Sequence, residues 1–193
     1  LDPLLAFKAT SDPDTMYHHQ AMKQWDRDHF RQAMVKEVET QLANDNFEVV
    51  SKSEVPEGAA ILPAVWQMKR KRCLTTRRVR KYKARLNVDG SRQIQGRDYH
   101  QTYAPVASWP SIRLLLTLAS VHKWKTTQLD YVLAFPQAPI ERPLYMAIPK
   151  GFNIANGNSK NHVLCLKRNL YGQKQAGRVW HQYLVSSLTS IGF

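Results

Sequence analysis

Cysteine is scarce in this chain of 193 residues: Cys73 and Cys165 are the only two, and they have no paired spacing. That speaks against a disulfide framework and against a structural zinc site. A reducing, intracellular setting is the expectation that follows. No apolar run approaches the length of a membrane span, and the opening LDPLLAFKATSDPD lacks the basic-then-apolar order of an export signal. Internal repeats and low-complexity tracts are missing too, so a solenoid or array is excluded. The last shortage is of negative charge, with 15 Asp and Glu against 28 Lys and Arg, a net +13. Such an imbalance points to a polyanion partner, nucleic acid ahead of membrane.

The positive charge is unevenly spread. From Lys69 to Arg85 (KRKRCLTTRRVRKYKAR) ten of seventeen residues are basic and none is acidic. A solvated hairpin that only aids solubility is one reading; phosphate contact, with Tyr82 and Leu86 interleaved, is the favoured one. Hydrophobic content of 43% is ordinary and supports a substantial core.

The pattern along the chain predicts an α+β fold. The first twenty residues read as an extended lead-in, with His18 and His19 as exposed side chains rather than metal ligands. From Asp26, Phe30, Met34, Val38 and Leu42 recur at helical spacing, with Ala33 widening the stripe, until Asn44-Asp45-Asn46 stops it. Strands are expected over 47–51 and 64–72, the latter returning through a TTRR turn as 79–88 to make a basic hairpin. Ser108 is placed to cap a second helix, with Pro110 in its first turn and Ile112, Leu115, Leu116 and Ala119 on one face. Short strands at 144–148 and 163–167 flank a polar loop, GFNIANGNSKN. A last helix carries Ala176, Trp180, Tyr183, Leu184, Leu188 and Ile191 on one side.

Between the second helix and those strands, TTQLDYVLAFPQAP sets Asp130 inside an apolar run that reads as a buried strand. A carboxylate there needs a cation or hydrogen-bond donors. Beside a basic surface it fits metal-assisted phosphoryl transfer, because magnesium takes one or two carboxylates plus substrate phosphates. A carboxylate satisfied by backbone donors at a strand end fits the same spacing equally well.

Six ordered stretches resemble the reverse transcriptase domain of Ty1/copia-type retrotransposon polyproteins, covering the chain from about Ala21 onward. They are WQMKRKR (66–72), KARLNVDGSRQIQGRDYHQTYAPVAS (83–108), SIRLLLTLA (111–119), QLDYVLAF (128–135), LYMAIPKGF (144–152) and NLYGQKQAGRVW (169–180). The resemblance implies a right-hand polymerase: fingers over 21–107, palm over 108–136, fingers return strands over 137–168 and an incomplete palm helix over 169–193. The partners it implies are a primed RNA or DNA template, deoxynucleoside triphosphates and the rest of a Pol polyprotein. Its cofactor would be Mg2+, two ions in a complete site. Asp130 falls at the first catalytic aspartate and would bind the metal, with the carbonyl of Tyr131 nearby. Phe135 falls at the aromatic steric gate that excludes a 2′-hydroxyl. Lys83 and Arg85 fall where the fingers hairpin meets the triphosphate, the hairpin register deciding which lies closer. Tyr171, Gly172 and Gln175 match the stretch against the nascent base pair. Lys69, Arg70, Lys71 and Arg72 would grip nucleic acid; Lys174 and Arg178 are either exposed charges on a helix or template-phosphate contacts, the latter being favoured. Arg113 would be an internal ion-pair partner or a template contact.

Commoner copia-type sequences read KARLVAKG, AFLNG and LYGLKQAPRAW. Among the differing positions this chain has Asn87, Asp89, Pro136, Ala138, Gln173 and Gly177. None of these removes the aspartate, the aromatic or the basic pair. The paired aspartates of the family are expected beyond Phe193, so this stretch reads as a fragment that is inactive by itself. The rival readings are a non-enzymatic nucleic-acid-binding fragment and an inert transposon remnant.

Overall fold

The computed structural model describes residues 12–152 and 159–193. Residues 1–11 of the expected lead-in and 153–158 of the polar loop lie outside the described residues. In chain order the elements are β1 (Thr15–Tyr17), α1 (His18–Ala21), α2 (Arg27–Ala43), β2 (Phe47–Ser51), β3 (Ile61–Leu62), β4 (Ala64–Arg72) and β5 (Val79–Val88). After these come α3 (Trp109–Val121), α4 (Ala134–Gln137), β6 (Pro139–Ala147), β7 (His162–Arg168) and α5 (Ala176–Ser190). The mixed α+β class is as the sequence led us to expect.

Two small sheets result. One is three-stranded and antiparallel, in the order β1-β4-β5; the other is four-stranded, in the order β2-β7-β6-β3, with β3 parallel to β6. Helix α2 packs mainly on β5. Its Phe30 and Met34 enter a core shared with Met68, Leu86, Met146 and Leu164. The stripe runs out at Leu42, which is exposed, and the helix ends at Asn44 with Asp45 in left-handed backbone. Burying that side of α2 is what stabilises it, since an isolated helix of this length is marginal in water.

Strand periodicity sorts the basic hairpin into two faces. In β4 the side chains of Trp66, Met68 and Arg70 turn inward, while Gln67, Lys69 and Lys71 turn out. Arg70 is therefore buried. Its guanidinium donates to both oxygens of Asp26 at 2.7 Å, and that carboxylate is 2% exposed. Asp26 stands at the N-cap of α2 yet makes no capping bond; its carboxylate serves Arg70 instead. Hydrogen bonding to that guanidinium holds the Asp26 carboxyl below the usual carboxylate range and raises Arg70 in turn. The sequence assigned Arg70 to nucleic acid, and its inward face corrects that assignment.

The lead-in also needs correction. It contributes β1 and α1, and its acids supply the negative charge that the hairpin's own sequence lacks. Asp14 takes Arg72 in a two-bond pair at 2.6 and 2.9 Å, and Asp12 lies 3.0 Å from the Lys69 ammonium.

The largest departure concerns Asp130. The segment 126–131 is in no sheet, and Asp130 is exposed rather than buried. A strand exists by its ladder, and among the described residues no strand lies alongside this one. Helix α3 shows the same lack of cover. Ser108 caps it by accepting from the amide of Ser111, and Pro110 sits in its first turn, yet only Ala119 is buried. Leu115 and Leu116 of the expected inner face are 62% and 57% exposed. Among the described residues, no helix is long and apolar enough to cross a membrane.

Candidate nucleic-acid interface

The antiparallel register of β4 and β5 sets cations directly opposite one another. Lys69 faces Lys83, Lys71 faces Lys81, and Gln67 faces Arg85. Like charges at opposed positions destabilise a sheet. Here Lys69, Lys71, Lys83 and Arg85 line a groove of about 250 Å³ with Thr15 and Gln67. Partial burial, then Arg85 and Lys71, lowers the Lys83 ammonium from its ordinary value. A surface that repels itself in this way gains by neutralisation with anionic oxygens.

The groove continues into a line of aromatic rings. The Arg85 guanidinium sits 5.4 Å over the ring of Tyr171, and that ring tilts against Phe135 at 5.2 Å. Three residues named from the sequence are thus brought together, although Phe135 and Tyr171 lie far from Arg85 in the chain. Tyr171 is held because its carbonyl accepts from the amide of Val88, at the root of β5. Gly172 follows at φ +90, where a Cβ would lie 2.1 Å from the Val88 carbonyl oxygen. Gly90 meets the same turn from the other side, its own absent Cβ falling 2.0 Å from the Gly172 oxygen. Only glycine allows both approaches. Phe135 is presented by α4, the single turn after Leu133, whose left-handed backbone at φ 52 is costly for a branched residue.

The other expected contacts are placed differently. Gln175 is buried, and its side-chain oxygen accepts from Gln93 Nε2 at 3.0 Å. Lys174 donates its backbone N–H to Gln93 Oε1 and its ammonium to the Gln93 carbonyl, and lies over Tyr99. Arg178 ion-pairs with Glu141 and donates to the Gln101 carbonyl. These three tie the Tyr171 turn and α5 to the segment around 93–101. Tyr131 packs edge-on against Trp180 at 5.3 Å. Asp130 is exposed, and among the described residues its carboxylate has no hydrogen-bond or ion-pair partner. Nor do the described residues hold any group of three or more His, Cys, Asp or Glu able to take a metal ion.

Sequence reasoning missed Gln93, Glu141 and the acids of the lead-in. Nothing in the spacing of Gln93 marks it, because its partners lie some eighty positions away. The inward turn of Arg70 was legible, since Trp66 and Met68 share its parity.

The family model described as "Reverse transcriptase (RNA-dependent DNA polymerase)" matches residues 44–193. The chain is similar to the "Retrovirus-related Pol polyprotein from transposon TNT 1-94" of Nicotiana tabacum, 36% identical over 86% of this chain. It is similar also to the Pol polyproteins from transposons RE2 and RE1 of Arabidopsis thaliana, at 35% and 34% identity over 96% and 98% of this chain. Each match spans 12% of the polyprotein concerned. No solved structure gives a significant match.

Proposed function

This chain belongs to the reverse transcriptase (RNA-dependent DNA polymerase) family, and from that premise we propose that it supplies the fingers and first palm segment of a primer-extending polymerase. The fingers are residues 21–107 and 137–168; 108–136 and 169–193 belong to the palm. The parent protein joins deoxynucleotides to a primer by attack of its 3′-hydroxyl on the α-phosphate, with pyrophosphate leaving.

The observation that carries the reading is the row of opposed cations on the outer face of the hairpin, running into Arg85, Tyr171 and Phe135. Lys69, Lys71 and Lys83 draw phosphates to the groove, and Arg85 orients the triphosphate from above the Tyr171 ring. Tyr171 offers a flat apolar platform to the base, and Gly172 lets the chain pass close beneath it. Phe135 stands against the sugar and excludes a 2′-hydroxyl. Gln175, Lys174 and Arg178 act through Gln93, Gln101 and Glu141, keeping that platform in place.

An exposed carboxylate with no partner among the described residues suits a hard cation. Asp130, with the Tyr131 carbonyl, would hold magnesium, which when bound neutralises charge developing on the transferred phosphoryl group. A single carboxylate leaves most ligand positions to water, so the 193-residue chain alone should extend no primer.

Lys69→Ala combined with Lys83→Ala should weaken binding to single strands of any sequence. The salt slope should flatten by about 0.7 for each phosphate that is no longer neutralised. A fluorescence anisotropy titration over a range of salt concentrations measures both, and an unchanged slope would refute the interface. A second expectation concerns selectivity. In a polyprotein-length enzyme, Phe135→Val should admit ribonucleotides while deoxynucleotide use persists, because removing the ring relieves a clash and adds no new interaction. Primer extension with each nucleotide type checks it; unaltered discrimination by an active variant would place the gate elsewhere.

A further inference from the structure

Strand β1 adds to the outer edge of β4, with Thr15 opposite Lys69 and Tyr17 opposite Gln67. The turn before it fixes one carboxylate firmly. Asp12 accepts from the Asp14 amide at 3.0 Å and from the Thr15 hydroxyl at 2.9 Å, and its Oδ2 lies 3.0 Å from the Lys69 ammonium. That oxygen occupies the place a phosphate oxygen would take beside this lysine. Asp14 holds Arg72 in the same manner, through both carboxylate oxygens. Two cations at the edge of the groove are therefore already engaged by acids from the lead-in, whereas Lys71, Lys83 and Arg85 have no acid within ion-pairing distance among the described residues.

We propose that β1 is an acidic latch on the nucleic-acid face: Asp12 occupies Lys69 as an internal phosphate mimic, and a bound strand must displace it. The inference rests on the reading of the outer face as a nucleic-acid interface. The Lys69 and Asp12 side chains are 48% and 42% exposed, and an exposed pair of this kind is weak, so a polymer with many phosphates displaces it readily. An isolated phosphate, held at one point only, does not. The latch thus lowers affinity for short or isolated anions while leaving a long strand able to bind.

The test uses the whole chain and a fluorescein-labelled oligothymidylate, followed by anisotropy over a salt series. Asp12→Asn should tighten binding by about two- to fivefold at low salt, because the strand no longer has to displace a carboxylate from Lys69, while the salt slope stays as it was. In a Lys69→Gln background the same change should bring no gain. A gain that persists without Lys69 would be a mere effect of net charge and would overturn the latch. Lys83→Ala, run in parallel, separates the two readings. If Lys83→Ala weakens binding and Asp12→Asn leaves affinity unchanged, the latch alone fails. If Lys83→Ala has no effect, the interface fails and the latch with it. Because Asp12 is exposed and outside the core, thermal unfolding of Asp12→Asn should match the parent chain and so exclude misfolding as the cause.

Discussion

Asp130→Asn, placed in a polyprotein-length reverse transcriptase containing this segment, should lower turnover by roughly a thousandfold or more. Template–primer affinity should change by less than about twofold. The side chain is exposed and has no partner among the described residues. Asparagine keeps the size, and neither core packing nor an ion pair depends on the charge, so stability should move by less than about 0.5 kcal/mol. On the role proposed for Asp130, what disappears is the negative charge that would hold cations at the reacting phosphate. That interaction matters most as charge develops, so the loss belongs to turnover rather than to binding. Single-turnover primer extension, with anisotropy on the same variant, measures the two quantities apart. A fully active variant would remove Asp130 from the chemistry. It would also favour the alternative of a segment that binds nucleic acid without catalysing anything.

Arg70→Met should destabilise the fold by about 3–5 kcal/mol, the penalty for leaving one partner of a buried ion pair uncompensated. Asp26 would keep its place at the start of α2 with neither guanidinium bond, in surroundings where it is 2% exposed. Replacing both partners, as Arg70→Met with Asp26→Leu, should recover most of the loss, because two apolar side chains leave no orphaned charge. Urea unfolding measures each step. The pH dependence follows from the Asp26 shift. Its folded pKa is depressed, chiefly by the Arg70 hydrogen bonds, so the unfolded chain binds the proton more tightly. The pair's contribution is therefore complete above the unfolded carboxyl pKa of about 3.9 and is lost as pH falls through the lower folded value. In Arg70→Met the buried carboxyl loses its cation, and acid sensitivity should move to higher pH. The salt slope of nucleic-acid binding should stay as it was, since Arg70 faces inward. A flattened slope would return this arginine to the interface.

Periodicity made much of this fold legible. The stripe from Phe30 to Val38 marks α2, the Ser108 cap marks α3, and the alternation through Trp66 and Met68 marks β4. Those signals are local, and local physics decides them. Asp130 shows the limit. Its apolar neighbours have strand character, but a strand also needs a partner's amides and carbonyls, and no residue nearby in sequence announces whether one is present. Arg70 shows a different limit. Residue type suggested phosphate, whereas parity and a remote aspartate decided the matter. The clamp of Gln93 on Gln175 and Lys174 was invisible for the same reason, being long-range and built from side chains with no distinctive spacing. The convergence of Arg85, Tyr171 and Phe135 could be anticipated only from the family resemblance, since nothing in three separated residues predicts that their side chains will meet.

The close approach of Gly90 to Gly172 has a mechanical consequence. Two stretches of bare backbone press together at the base of the hairpin, and the Val88 amide is bonded across the same junction. Such a joint has no side chain to flex and no slack to take up. The tip of the hairpin, around the turn after Arg72, lies at the far end from this joint, whereas its base is pinned. A rocking motion that reaches Val88 must carry Tyr171 with it, so the groove and the aromatic platform travel as one rigid piece. The distance between the cations and the ring is thereby preserved whatever the hairpin does.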